Sequence, residues 1–212
     1  MFKRVYILYA GGHSKQCIDI FLENGFNILG IFDDKYDGQE IDFYRNTKII
    51  GKINDLDKYL QKCNEYLFCT IGDNNLRYKT IEMYPPPKYN YINCISKSAY
   101  ISDGSRHNIG IGNYIGAFSE ISSDSYVGSF NILNDKSQVM HDNKIGDFNH
   151  ISCNTTLCGN VSVGNYCFIG ASALVNNKIK ICDNVTVGSN STVIRDITDP
   201  GTYVGTPTRK IP

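Results

Sequence analysis

The chain has 212 residues, 42% of them hydrophobic, with 21 basic and 21 acidic side chains and a formal net charge of zero. No basic run exceeds two residues, which excludes the electrostatic footprint of a nucleic-acid or anionic-membrane binder. No stretch approaches the roughly twenty apolar residues that span a bilayer, and Met1 leads straight into a strand pattern, so a soluble cytoplasmic protein is expected.

Residues 1–85 read as a Rossmann-like βαβαβ domain. Val5–Tyr9 is an apolar strand, followed by the loop Ala10-Gly11-Gly12-His13-Ser14 and a helix over Lys15–Asn24 that stops at Gly25. Asn27–Phe32 is a second strand closed by Asp33-Asp34. A helix near Leu56–Cys63 and a third strand, Tyr66–Ile71, come next, and Gly72-Asp73-Asn74-Asn75 opens a helix carrying Arg77. The glycine loop sits where this fold receives phosphates, because a following helix N-terminus favours negative charge. Gly-x-Gly-x-x-Gly is absent, so a dinucleotide such as NAD is not expected. Asp33 and Asp34 are placed to accept hydrogen bonds from a ribose or base, although both also suit a solvated turn.

Pro85-Pro86-Pro87 cannot continue a helix and marks a boundary, and Tyr89–Ser105 caps the C-terminal repeats. From Ile109, every sixth residue is aliphatic: Ile109, Ile115, Ile121, Val127, Leu133, Val139, Ile145, Ile151, Leu157, Val163, Ile169, Val175, Ile181, Val187 and Val193. That period fits neither a helix nor an alternating strand, and a β-sandwich does not hold one phase over so long a stretch. It is the hexapeptide repeat of a parallel β-helix, in which three six-residue faces make an eighteen-residue coil. Residues 86–212 are therefore expected to form a solenoid. Two positions before each aliphatic, small side chains recur (Ser119, Ser125, Ser137, Thr155, Val161, Cys167, Ala173, Val185, Ser191), as a narrow interior requires. One position after it, glycine recurs (Gly110, Gly116, Gly128, Gly146, Gly164, Gly170, Gly188), which suggests tight or left-handed turn geometry there.

The eight cysteines form no CxxC pair and no metal-like cluster, so reduced structural thiols and no metal are expected. Of the four histidines, His13 lies in the glycine loop and His107 in the capping coil, while His141 and His150 lie in consecutive repeats off the inward columns. Nine residues is half a coil, so His141 and His150 project from different sides of one prism and are poorly placed to act together within one subunit; a homotrimer could bring them into one shared site. Gly159 is one coil beyond His141, about 4.8 Å along the stack, where its amide can flank the imidazole.

The whole pattern resembles the sialic acid O-acetyltransferase-type (NeuD-like) family, which includes N-acetyltransferases of nucleotide-linked 4-amino sugars such as that of bacillosamine biosynthesis. The likeness spans almost the whole chain: Tyr9-Ala10-Gly11-Gly12-His13-Ser14-Lys15, Asp33-Asp34, Ile71-Gly72-Asp73-Asn74 with Arg77, His141-Asp142 through His150-Ile151, and Val204-Gly205-Thr206-Pro207. It implies a left-handed β-helix, with His141 as catalytic base and Asp142 as its electrostatic partner. It also implies His150 and Asn134, with Gly159, at an acetyl-CoA site. Gly11, Gly12, His13, Ser14, Asp33, Asp34, Gly72, Asn74 and Arg77 would hold a nucleotide-linked amino sugar. Two departures stand out: Cys153-Asn154 replaces the family's Pro-Gly, and Thr208 replaces the alanine that usually closes the C-terminal motif.

The implied reaction is direct acetyl transfer to a sugar amine, since no cysteine has an evident base partner. O-acetylation of sialic acid is the alternative within that chemistry. A β-helical carbonic anhydrase is a second class, but the spacing of His107, His141 and His150 does not match its zinc site. A nucleotide-sugar-binding subunit without activity is a third, opposed by the His141-Asp142 pair.

Overall fold

The protein, in a computed structural model, is described over residues 3–60 and 65–212. It divides into two compact units, Met1–Lys97 and Ser98–Pro212.

In the first unit, β1 (Arg4–Leu8) is the central strand, flanked in parallel by β2 (Asn27–Phe32) and β5 (Glu65–Cys69). Val5, Ile7 and Leu8 are fully buried, as a sheet covered on both faces demands. The helix α1 (Gly12–Glu23) starts inside the glycine loop, three residues before Lys15, and ends at Asn24, with Gly25 at φ +76°. It seats Cys17, Ile18, Ile20 and Phe21 in the core, where Phe21 meets Phe68 edge-on at 5.4 Å.

The βαβαβ expectation missed a hairpin. β3 (Ile41–Tyr44) and β4 (Thr47–Gly51) pair antiparallel, and the sheet order is β3-β4-β2-β1-β5. The hairpin turns on Arg45 and Asn46, both at positive φ, as a two-residue turn needs, but without the Asn-Gly signature that announces one. The expected second helix is a 3₁₀ turn, Ile53–Asp55, running into one helical turn, α2 (Leu56–Tyr59), while its remainder over 61–63 lies outside the described residues. The helix α3 (Asn74–Met83) is capped by Asp73, whose carboxylate accepts from the Leu76 N–H at 2.8 Å. The unit continues past the triple proline, because Leu67 of β5 donates to the Asn90 carbonyl at 2.8 Å and pairs with Tyr91.

The second unit is a left-handed parallel β-helix whose two-residue strands pair at eighteen-residue offsets, such as Ile132 with His150 and Gln138 with Thr156. Of the fifteen aliphatics in phase, all from Ile115 to Val193 are at most 3% exposed; Ile109, in the first coil, is half-buried. The column two residues earlier is buried as expected, but it also holds Asn113, Asn131, Asn143 and Asn149, each 0% exposed. These asparagines tie coil to coil. Asn149 Oδ1 accepts the Cys167 N–H at 2.7 Å, and its Nδ2 donates to the Gly164 carbonyl at 2.8 Å. Asn131 does the same for Asn149 and Gly146. Buried backbone groups that the short strands leave unpaired are thus satisfied.

The glycine column has a different cause from the one expected. The left-handed corner falls three residues before each aliphatic, at residues such as Asp124, Lys136, Asp142, Asn154, Asn160 and Asn190, with φ of 56–63°. The glycines after the aliphatics sit elsewhere, where the next coil's backbone passes close: a Cβ on Gly128 would lie 2.6 Å from the Gly146 carbonyl oxygen, and one on Gly146 equally close to Gly164. They are required for space, not for φ. Several corners carry aromatic rings that stack along the axis, Phe130 on Phe148 at 5.1 Å and Phe148 on Tyr166 at 5.6 Å.

Two substitutions separate these roles in thermal or urea denaturation. Asn149→Ala leaves a buried N–H and carbonyl unpaired and should cost about 1–3 kcal/mol. Gly146→Ala overpacks the coil interface and should cost about 1–3 kcal/mol.

Candidate functional site

At the carboxyl edge of the first unit's sheet, the loops after β1, β2 and β5 converge, beside the N-termini of α1 and α3. This is where open α/β sheets receive ligands. Asp33 is 7% exposed, and both its oxygens are engaged by backbone: Oδ2 accepts the Ala10 N–H at 2.7 Å and Oδ1 the Lys35 N–H at 2.9 Å. Asp33 therefore shapes the glycine loop, while Asp34 is exposed and its Oδ1 accepts the Ile53 N–H at 3.4 Å.

Ser14 and Arg77 are likewise turned inward. Ser14 is 0% exposed, accepting from the Gly11 N–H at 2.9 Å and donating back to the Gly11 carbonyl at 2.5 Å. Arg77 is 1% exposed and donates to the Ile71 and Gly72 carbonyls at 2.8 and 3.2 Å and to Asn74 Oδ1 at 2.8 Å. Burial pulls its guanidinium down to about 10, still protonated at neutral pH. Both residues, expected to touch a nucleotide, instead brace the loops that would do so. Gly11, Gly12 and Gly72 are exposed with open space around them, and half-buried His13 meets Gln16 Oε1 at 3.3 Å and Cys17 Sγ at 3.7 Å.

Two residues here carry no sequence signal. Thr70 Oγ1 donates to the Leu8 and Tyr9 carbonyls at 2.9 and 2.8 Å, locking β1 to β5. Tyr9 takes φ +73°, a left-handed conformation that nothing in the sequence of an aromatic residue announces.

In the β-helix, His141 occupies an exposed corner between the strands Gln138–Val139 and Lys144–Ile145. Its Nδ1 lies 2.7 Å from Asp142 Oδ2, and Asp142 itself holds the left-handed corner at φ +60°. The neighbour one coil on is Gly159. A Cβ there would lie 2.5 Å from His141 Cε1 and 2.6 Å from Nε2, so the ring rests directly on the glycine backbone. Gly159 is buried, and among the described residues nothing accepts a hydrogen bond from its N–H. A buried donor without an acceptor is uncommon and points to a ligand.

Asn134 and His150 are not part of that corner. His150 lies on the strand His150–Ile151, on a different face, with its ring edge-on to Phe168 at 5.1 Å. Asn134 follows the neighbouring strand, donates its N–H to the Ile151 carbonyl at 2.9 Å, and turns Oδ1 onto the Asp135 N–H. Within one chain, then, the structure joins His141, Asp142 and Gly159, and leaves Asn134 and His150 on neighbouring strands of another face. Among the described residues, no group of three His, Cys, Asp or Glu side chains is placed to hold a metal, and no helix is long and apolar enough to cross a membrane.

Residues 4–84 match the PglD N-terminal domain family. The structure of PerB from Caulobacter crescentus in complex with CoA and GDP-perosamine is 28% identical, covers 98% of this chain and 97% of its own, and superposes with a TM-score of 0.87. A histidine-to-alanine mutant of GDP-perosamine N-acetyltransferase from the same organism, with the same ligands, is 28% identical, covers 98% and 96%, and has a TM-score of 0.88. An uncharacterized protein of Acanthamoeba polyphaga mimivirus is 52% identical over 129 residues, 61% of this chain. The chain spans about a quarter of that relative's length, 24%.

The two carboxylates that end β2 are separable by experiment. Asp33→Ala strands the Ala10 and Lys35 amides and should lower stability by about 1–3 kcal/mol. Asp34→Ala, at an exposed site, should stay within about 0.5 kcal/mol of wild type in denaturant titrations.

Proposed function

We propose, from the premise that the chain belongs to the NeuD/PglD-like family of sugar N-acetyltransferases, that it transfers acetyl from acetyl-CoA to the 4-amino group of a nucleotide-linked 4-amino-4,6-dideoxy sugar. The nucleotide would be bound at the carboxyl edge of the first unit, by the exposed N-terminus of α1, Gly72 and Asp34. The observation that supports the transfer chemistry most is the His141–Asp142–Gly159 corner: a carboxylate on one ring nitrogen, and against the ring the backbone of Gly159, whose N–H has no acceptor among the described residues.

That corner suits the reaction step by step. Asp142 on Nδ1 fixes the tautomer in which Nε2 carries the lone pair, and it favours the imidazolium once formed. The neutral sugar amine attacks the thioester carbonyl, forming the C–N bond, and its proton passes to His141 Nε2. The negative charge that builds on the carbonyl oxygen can be met by the Gly159 N–H; removal of one such donor typically costs about 2.7–4 kcal/mol of barrier. The C–S bond then breaks, and the thiolate of CoA leaves with the proton held on His141. No covalent acyl-enzyme is needed, and the buried thiols of Cys69 and Cys167, pushed up by burial to about 11 and about 12, are poor nucleophiles.

The separation of His141 from Asn134 and His150 supports a homotrimer, in which the second pair would serve the acetyl-CoA site of a neighbouring subunit. Acetyl-CoA and sugar nucleotides are cytoplasmic metabolites, so the reading carries that location.

A thiol-release assay with acetyl-CoA against GDP-, UDP- and dTDP-linked 4-amino sugars, with free sialic acid as the O-acetylation control, tests the substrate class; turnover of sialic acid alone would overturn it. His141→Ala should keep the fold, since no inward residue is lost, and lower kcat by about 10²–10⁴-fold. Mixing His141→Ala and His150→Ala chains under conditions of verified subunit exchange should restore activity. No recovery would count against the shared site.

A further inference from the structure

Lys35 follows the aspartate pair that ends β2, and its ammonium lies on the glycine loop. Asp33 sets this arrangement. One of its carboxylate oxygens accepts the Ala10 N–H at 2.7 Å and the other the Lys35 N–H at 2.9 Å. The segment after β2 is thereby tied to the loop after β1, although Ala10 and Lys35 are 25 residues apart in the chain. Lys35 Nζ then reaches the Ala10 carbonyl at 3.4 Å, one peptide unit before Gly11. Among the described residues that carbonyl is the one hydrogen-bond partner of the ammonium, and no carboxylate pairs with it. An ammonium carries three donors, so one long bond leaves most of its capacity unused.

Other cations near the loop are committed elsewhere. Arg77 is 1% exposed and donates to the Ile71 and Gly72 carbonyls and to Asn74 Oδ1. Lys15, in α1, holds its ammonium 5.8 Å from the ring centroids of both Phe43 and Tyr44, over the hairpin. Two loop amides are committed as well, that of Ala10 to Asp33 and that of Gly11 to Ser14 Oγ at 2.9 Å. Open space lies around Gly11 and Gly12, where α1 begins. A helix N-terminus supplies roughly half a positive charge, and the exposed Asp34 carboxylate at the same edge opposes an anion. A full cation beside the loop reverses that balance, and Lys35 supplies it.

We propose that Lys35 binds the diphosphate of the sugar nucleotide, its ammonium donating from the Ala10 side to phosphate oxygens seated over Gly11 and Gly12. The inference rests on the reading of the first unit as a nucleotide-sugar site and names the cation of that site. A diphosphate is common to GDP-, UDP- and dTDP-linked sugars, so the contact reads charge and leaves the choice of base to other residues.

The test is calorimetric titration of GDP, UDP and dTDP into the wild-type protein, Lys35→Gln and Lys35→Glu, each at low and at near-molar NaCl. Glutamine removes the charge and glutamate reverses it, and because the side chain is exposed neither should change the melting temperature. At low salt Lys35→Gln should weaken the best-bound nucleotide by about 10- to 100-fold, the range of a lost charge-assisted hydrogen bond, and Lys35→Glu should weaken it further. At high salt the differences from wild type should narrow, because mobile ions screen an exposed charge. In turnover, the sugar-nucleotide KM should rise in both variants and the acetyl-CoA KM should not. Wild-type nucleotide affinity in Lys35→Gln, or a loss of equal size at both salt concentrations, would overturn the proposal alone. Failure of the wild-type protein to bind any of the three nucleotides would remove the underlying reading and Lys35 with it.

Discussion

The eighteen-residue stacking of backbone on backbone is the constraint on which the rest of the second unit depends. Each coil donates its strand N–H groups to carbonyls one coil on, as Gln138 does to Thr155 and Lys144 to Val161. Residue n is thereby fixed beside residue n+18, whatever its side chain. His141 rests on the backbone of Gly159 for this reason alone, without any dedicated loop. A site built on such a frame is rigid, because a shift of one coil would break ladders on three faces at once.

Stacking at this pitch has steric and polar consequences that the composition reflects. Where adjacent coils pass too close for a Cβ, glycine stands, as at Gly128 and Gly146. Where the chain bends through left-handed geometry, residues with side chains are accepted, among them Asp142 and Asn160. Where strands of two residues leave interior amides unpaired, asparagine supplies both an acceptor and a donor, as Asn131 and Asn149 do. An apolar residue of equal volume would fill the same space and leave those groups buried without partners, which is the costlier choice.

The first unit solves a different problem, that of presenting loops at one edge of a sheet without letting them collapse. Four of its buried polar residues work at that edge: Asp33 on the Ala10 amide, Thr70 on the Tyr9 carbonyl, Ser14 on Gly11, and Arg77 on the Ile71 and Gly72 carbonyls. Glycine backbone and Asp34 are among the groups left exposed there. The two adjacent aspartates differ in burial: Asp33 is enclosed between two backbone amides, and Asp34 is exposed with the Ile53 N–H on one oxygen.

Much of this was legible in the chain itself. A period of six held over fifteen aliphatics specifies the β-helix, because no other regular structure returns a side chain inward at that interval, and the same count places Gly159 next to His141. The apolar runs of β1 and β2, the glycine loop and the stop at Gly25 are equally readable, since local backbone chemistry decides them. What only the tertiary structure decided is how each polar residue is used. Asp33 and Asp34 are identical in sequence terms, and Arg77 looks like an anion ligand until its carbonyl partners are seen. The β3–β4 hairpin lacks its usual turn residues, and the left-handed Tyr9 is invisible locally because the ends of β2 and β5, both distant in the chain, hold its backbone. Burial and hydrogen-bond partners come from segments distant in the chain, so periodicity can assign a residue to a face but cannot say what will meet it there.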